Sequence, residues 1–153
     1  MTTWGSKANA GVDDYSFAPS SSIGPALKGS GQLILIVDDE EAIREITSLA
    51  LTTHGYRVIC ACNGAEGLEI YSQNQNEICL VVSDMVMPVM DGPAMIAAMR
   101  AINPAVRVIA CSGMANDRTM TMAAEGGVMG YLPKPYSPYD LLMATHTVAA
   151  AVG

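Results

Sequence analysis

Basic residues are few in this chain: 8 lysines and arginines face 15 aspartates and glutamates, for a formal net charge of −7 and a pI of about 4.6. A segment that binds nucleic acid needs a cationic footprint to neutralise phosphates, so that class of partner is excluded for this stretch. Long apolar runs are missing as well. Although 50% of the residues are hydrophobic, no window reaches the ~20 apolar residues a membrane-spanning helix needs. The N-terminus has no basic region followed by an apolar one, which argues against a secretory signal peptide. Cysteines number 4, at Cys60, Cys62, Cys79 and Cys111, all in apolar strand-like runs. They are expected as buried, reduced thiols packing as small hydrophobes, in a cytoplasmic protein. Cys60-x-Cys62 lacks zinc-knuckle spacing, and both histidines, His54 and His146, lie elsewhere. No GxxxxGK[ST] loop occurs, so nucleotide hydrolysis has no support.

What is present is a strong alternation. At 153 residues and 16.0 kDa the chain holds one domain with a proper core and room for a tail. Residues 16–31 are rich in Ser, Gly and Pro with no periodic apolar pattern, and 1–31 reads as a flexible tail or interdomain linker. The domain, 32–153, opens with the apolar run Leu33–Val37 followed by Asp38, Asp39, Glu40 and Glu41. Acids at a helix start satisfy free N–H groups, and the helix that follows sets Ile43, Ile46 and Ala50 on one face and stops at Gly55. Arg57–Ala61 is a shorter strand, and Asn63 caps a helix carrying Leu68, Ile70 and Tyr71. The polar residues 73–76 lead to the central stretch ICLVVSDMVMPVMDG. There a run of apolar residues suited to a strand buried on both faces ends at Ser83 and Asp84.

Asp91-Gly92-Pro93 then starts a helix with Met95, Ile96 and Met99 inward, ended near Asn103-Pro104. A fourth strand at 106–111 closes on Ser112-Gly113. Asn116 begins a helix that stops at Gly126-Gly127. A fifth strand at 128–132 runs into Pro133-Lys134-Pro135, and proline points to a sheet edge because it cannot donate to the ladder. Ser137-Pro138-Tyr139-Asp140 forms a capping box before a last helix built on Leu141, Leu142, Thr145 and Val148. Strands alternating with helices in this way predict a parallel five-stranded sheet covered on both faces.

In such a sheet the carboxyl ends of the strands line one crevice, where open α/β sheets bind ligands. Asp38, Asp39, Asp84, Ser112 and Lys134 all fall there. Taken singly, each has a plain structural use: Asp84 and Ser112 in turns, Lys134 as a solvated edge residue. Brought together, three carboxylates repel one another and favour raised pKa values or a bound cation. An oxygen-only ligand set of low count fits Mg²⁺ better than zinc or copper. Lysine and a hydroxyl opposite would suit an anion. That is equipment for phosphoryl transfer onto a carboxylate.

LIVDDE, SDMVMPVMDG, the serine after the fourth strand and YLPKPY together resemble the receiver domain of bacterial response regulators in two-component systems. The resemblance covers all five strand–helix units. It implies a flavodoxin-like doubly wound (βα)5 fold with strand order 2-1-3-4-5. It further implies that Asp84 is the phosphoacceptor, that Asp39 is a direct Mg²⁺ ligand with Asp38 bridged through water, and that the Val86 carbonyl is another ligand. Lys134 would pair with the phosphoryl group, the Ser112 hydroxyl would hydrogen-bond it, and Tyr131 would be the aromatic that reports the switch. The Lys134–Pro135 bond is expected to be cis.

The donor would be a histidine kinase or a histidine phosphotransfer protein. The response would be read by a downstream protein at the face of the fourth helix, fifth strand and fifth helix. Phosphorylation and dephosphorylation would both be catalysed by the receiver itself. The Gly/Ser-rich lead-in also resembles the linker before the C-terminal receiver of hybrid histidine kinases. Two other readings compete. One is a degenerate receiver acting only as a protein-binding module. The other is a metal-dependent aspartyl phosphohydrolase, whose motif needs a second Asp at the place held by Val86.

Overall fold

The computed structural model describes residues 27–113 and 127–150. Along them run β1 (Leu33–Val37), α1 (Glu41–Thr53), β2 (Arg57–Ala61), α2 (Gly64–Asn74), β3 (Ile78–Asp84), α3 (Gly92–Ile102), β4 (Val108–Ser112), β5 (Gly130–Pro133) and α4 (Pro138–Ala150). The helix expected from Asn116 lies outside the described residues, so α4 is the one expected last. The strands form one parallel sheet in the order β2-β1-β3-β4-β5. This is the expected doubly wound flavodoxin-like arrangement, with Pro133 on the edge strand.

The central strands lack alternation because both of their faces are covered. In β1, Leu33, Leu35 and Val37 join one apolar cluster with Tyr71, Met95, Ile96 and Met99 of α2 and α3. Ile34 and Ile36 point the other way, into a cluster with Leu51 of α1 and Leu141, Leu142 and Val148 of α4. Helix starts follow the chemistry of their caps. The Asn63 side chain accepts from the Glu66 amide, and Asp91 from the Ala94 amide. Ser137 Oγ accepts from the Asp140 amide at 3.0 Å while Asp140 Oδ2 accepts from the Ser137 amide at 3.3 Å.

Three expectations need correction. Ile46 is 60% exposed, and Thr47 takes the inward position of α1. The reason is polar: Thr47 Oγ1 hydrogen-bonds the Tyr136 hydroxyl at 3.0 Å, so a hydroxyl can face inward and Ile46 turns to solvent. Cys62 is exposed and Cys60 and Cys79 are only half-buried, leaving Cys111 as the buried thiol; Cys62 stands one residue past the end of β2. The fourth and fifth ladders also start two residues later than expected. Asn103 to Val106 closes a turn first, and Gly127, at φ +81, precedes β5.

Packing reaches back to Leu27, which is 8% exposed and sits in the α1/α4 cluster. Gly29 and Gly31 donate to the carbonyls of His54 and Gly55 at 2.7 and 2.8 Å. Arg57 Nε donates to the Gly31 carbonyl at 2.7 Å.

Candidate functional site

Strand register assembles the site. The sheet order reverses direction at β1, which lies between β2 and β3, and a crevice opens at such a switch point. Val37 pairs with Ser83, so Asp38 and Asp84 leave neighbouring strands side by side. Asp84 pairs in turn with Cys111, and Ser112 pairs with Pro133. Ser112 and Lys134 therefore complete the row. The loop after β3 is held in by Gly92, whose amide donates to the Met85 carbonyl at 3.1 Å. A Cβ there would stand 2.6 Å from the Asp84 carbonyl oxygen, so glycine is required by close approach.

Oxygens of Asp38, Asp39 and Asp84 lie within 4.8 Å of one another. Asp38 and Asp84 are buried and Asp39 is exposed. Lys134 Nζ lies 2.7 Å from Asp38 Oδ2, 3.2 Å from Asp84 Oδ2 and 3.5 Å from Glu40 Oε1. Three carboxylates thus face one ammonium. Asp39, Glu40, Asp84, Val86, Ser112, Gly113 and Lys134 line a cleft of about 250 Å³. Every site residue named from the sequence except Asp38 and Tyr131 lines this cleft. Asp38 Oδ1 accepts from the Glu40 amide at 2.9 Å. The Tyr131 hydroxyl donates to the Ser112 carbonyl at 3.4 Å. The Lys134–Pro135 bond is cis.

Burial pushes the Asp84 carboxyl above its usual range; Lys134 opposes this and the Asp38 charge adds to it. Burial works against the Lys134 ammonium, yet the hydrogen bond and charge of Asp38, with the charge of Asp84, hold its pKa above the ordinary lysine value. Beneath them burial pushes the Cys111 thiol up to about 12, so it stays protonated. Oxygen-only donors, an excess of negative charge and a roomy mouth fit a hard divalent cation.

Two residues were not singled out from the sequence. Glu40 reads there as an ordinary acid at a helix start, but as N-cap of α1 it makes no side-chain cap bond and turns to Lys134 instead. Arg44 fixes the strand end, donating from Nη1 to the Asp38 carbonyl at 2.7 Å. The acidic run, two residues longer than Asp38-Asp39, is the available signal for Glu40; Arg44 leaves none.

Comparison with known proteins agrees with this geometry. A family model described as the response regulator receiver domain matches residues 34–146. The chain is 40% identical over 111 residues to the sensor kinase CckA of Brucella abortus (strain 2308), covering 72% of this chain and 12% of that protein. It is 32% identical over 120 residues to the chemotaxis protein CheY of Thermotoga maritima, covering 78% of this chain and 98% of that protein. The crystal structure of a response regulator receiver domain protein from Clostridium thermocellum superposes with a TM-score of 0.74 at 31% identity, covering 78% of this chain and 95% of that one. The chain spans only 12% and 24% of CckA and of the Escherichia coli (strain K12) transcriptional regulatory protein GlrR.

Proposed function

The chain belongs to the response regulator receiver domain family of two-component signalling, and from that premise we propose that it accepts a phosphoryl group onto Asp84 from a phosphohistidine donor. The observation that carries the reading is Lys134 Nζ at 3.2 Å from Asp84 Oδ2, in a cleft that Ser112 lines from the next strand. An Asp84 oxygen attacks phosphorus in line, and the P–N bond pair leaves with the imidazole nitrogen. Lys134 neutralises one phosphoryl oxygen and the Ser112 hydroxyl donates to another. The donor set suits Mg²⁺ held by Asp39, Asp84 and the Val86 carbonyl, with Asp38 through water; the ion would supply positive charge to the phosphoryl oxygens. Asp38 already accepts from Lys134 and the Glu40 amide, which supports giving the direct contact to exposed Asp39.

Once Asp84 is an acyl phosphate, Ser112 is drawn toward it and Tyr131, tied to the Ser112 backbone, responds. That biases the face of β5 and α4, which a downstream protein would read. The donor would be a histidine kinase or a histidine phosphotransfer protein in the cytoplasm. The likeness to a segment of a sensor kinase supports placement inside a hybrid histidine kinase. The complete acidic set with Lys134 and Ser112 disfavours a degenerate binding module, and Val86 disfavours a phosphohydrolase.

Incubation with a small phosphodonor and Mg²⁺, followed by intact-mass measurement, tests the reading. One phosphoryl group, labile to hydroxylamine, is expected on the native chain and none on Asp84→Asn. Wild-type labelling of Asp84→Asn would overturn it.

A further inference from the structure

The cleft has a floor and a rim. Side chains of Lys134 and Asp84 are 15% and 10% exposed, whereas that of Glu40 is 62% exposed and residue Val86 is 61% exposed. An in-line displacement sends the leaving atom away from the attacking Asp84 oxygen, toward the rim. Of the rim groups, Val86 and Gly113 carry no charge, and Asp39 belongs to the acidic set already described. Glu40 is different. Its contact with Lys134, at 3.5 Å, is the longest of the three that lysine makes, and its carboxylate makes no cap bond to α1. It is a full negative charge held beside the exit path with no other structural duty on α1.

We propose that Glu40 is a positioning residue that selects phosphodonors by the charge of their leaving group, favouring nitrogen-linked donors over acyl phosphates. This rests on Asp84 being the phosphoacceptor and concerns the same cleft. With phosphoramidate, an Asp84 lone pair forms the new O–P bond and the P–N pair stays on nitrogen. That nitrogen enters as an ammonium and departs as neutral ammonia, so in the transition state it still carries part of its positive charge at the rim. A protonated phosphoimidazole behaves alike and releases neutral imidazole. With acetyl phosphate the breaking P–O pair leaves on acetate, and negative charge develops at the rim. Glu40 attracts the first and repels the second. The repulsion between Glu40 and the phosphoryl group is common to both donors and cancels in the ratio of their rates.

The test compares rate constants for phosphoramidate and acetyl phosphate, with Mg²⁺, on the native chain, Glu40→Gln and Glu40→Asp. Glu40→Gln is expected to lower the phosphoramidate-to-acetyl-phosphate ratio about fivefold, the scale of one charge ~6 Å away under strong solvent screening. Glu40→Asp retains most of the native ratio. A readout without turnover is amide-shift titration by aminomethylphosphonate and acetonylphosphonate, with and without Mg²⁺. The ratio of affinities, aminomethylphosphonate over acetonylphosphonate, is expected to fall in Glu40→Gln. If both donors label Asp84 but the ratio is unchanged, or both rates shift alike through a freed Lys134, the inference on Glu40 is overturned and the receiver reading stands. If neither donor labels the native chain, both fall.

Discussion

Lys134 sits closer to Asp38 than to Asp84, with Nζ–Oδ2 distances of 2.7 and 3.2 Å. The lysine expected to meet the incoming phosphoryl group is therefore held first by a neighbouring acid. Asp84 is left under-compensated in a buried place, which is why its carboxyl is pushed above the usual range.

That relationship makes a stability prediction. A carboxyl whose folded pKa lies above its unfolded value binds more protons in the folded state between the two. Its ionisation therefore costs stability as pH rises through that window, and the cost is complete at neutral pH. Asp84→Asn, which keeps the shape and removes the charge, is expected to raise the melting temperature at pH 7. The gain should shrink as pH falls into the carboxylate range. Thermal melts of both proteins from pH 7 down to pH 4 measure this; a mutant less stable at pH 7 would show that Lys134 over-compensates Asp84.

Val89 holds φ 70 in the loop after β3 and is 82% exposed. A β-branched side chain in the left-handed region is strained, at ~1–3 kcal/mol, and its exposure leaves little packing to lose. Val89→Gly is expected to stabilise the fold by about 1 kcal/mol after the added freedom of the unfolded chain is counted. Urea midpoints decide, with Val89→Asn as a second variant that also tolerates this conformation. Unchanged or lowered midpoints in both would mean the strain is not there.

Most of the frame was legible because buried parallel strands announce themselves as unbroken apolar runs. Leu33–Val37, Arg57–Ala61 and the run ending at Asp84 appear where they were expected. The stripes Met95, Ile96, Met99 and Leu141, Leu142, Thr145, Val148 are buried as their spacing predicts. What failed was orientation decided by partners distant in sequence. Ile46 and Thr47 are adjacent, and only Tyr136, 89 positions from Thr47, settles which one turns inward. Glu40 is the same case, since its partner Lys134 is 94 positions away.

The lead-in gives a third prediction. Leu27, read from composition as part of a linker, is buried among the residues of the α1/α4 cluster, and its neighbours bond the His54–Gly55 turn. Leu27→Ala is expected to cost about 2–3 kcal/mol, the lower part of the range for a buried leucine. A chain started at Gln32 should lose at least as much. Chemical denaturation of the three proteins checks this. Equal midpoints would return 27–31 to the linker.

The last prediction concerns the lifetime of the phosphorylated state. On the proposed Asp84 acyl phosphate, hydrolysis would require a water oxygen to attack phosphorus opposite the Asp84 oxygen, which would then depart with the P–O pair and regain its charge. A polar side chain at the rim can hold that water in line. Val86 stands there, two residues beyond Asp84, lining the cleft, and its isopropyl group offers no hydrogen bond. It would also shield a phosphoryl group on Asp84 from solvent. Val86→Asn supplies both a donor and an acceptor while leaving the backbone amide that bonds Asp84 Oδ1 at 3.3 Å. Decay of phosphorylated protein in Mg²⁺, without a partner phosphatase, should accelerate about fivefold, corresponding to ~1 kcal/mol of barrier. Unchanged or slower decay would show that water access at this edge of the cleft does not set the lifetime.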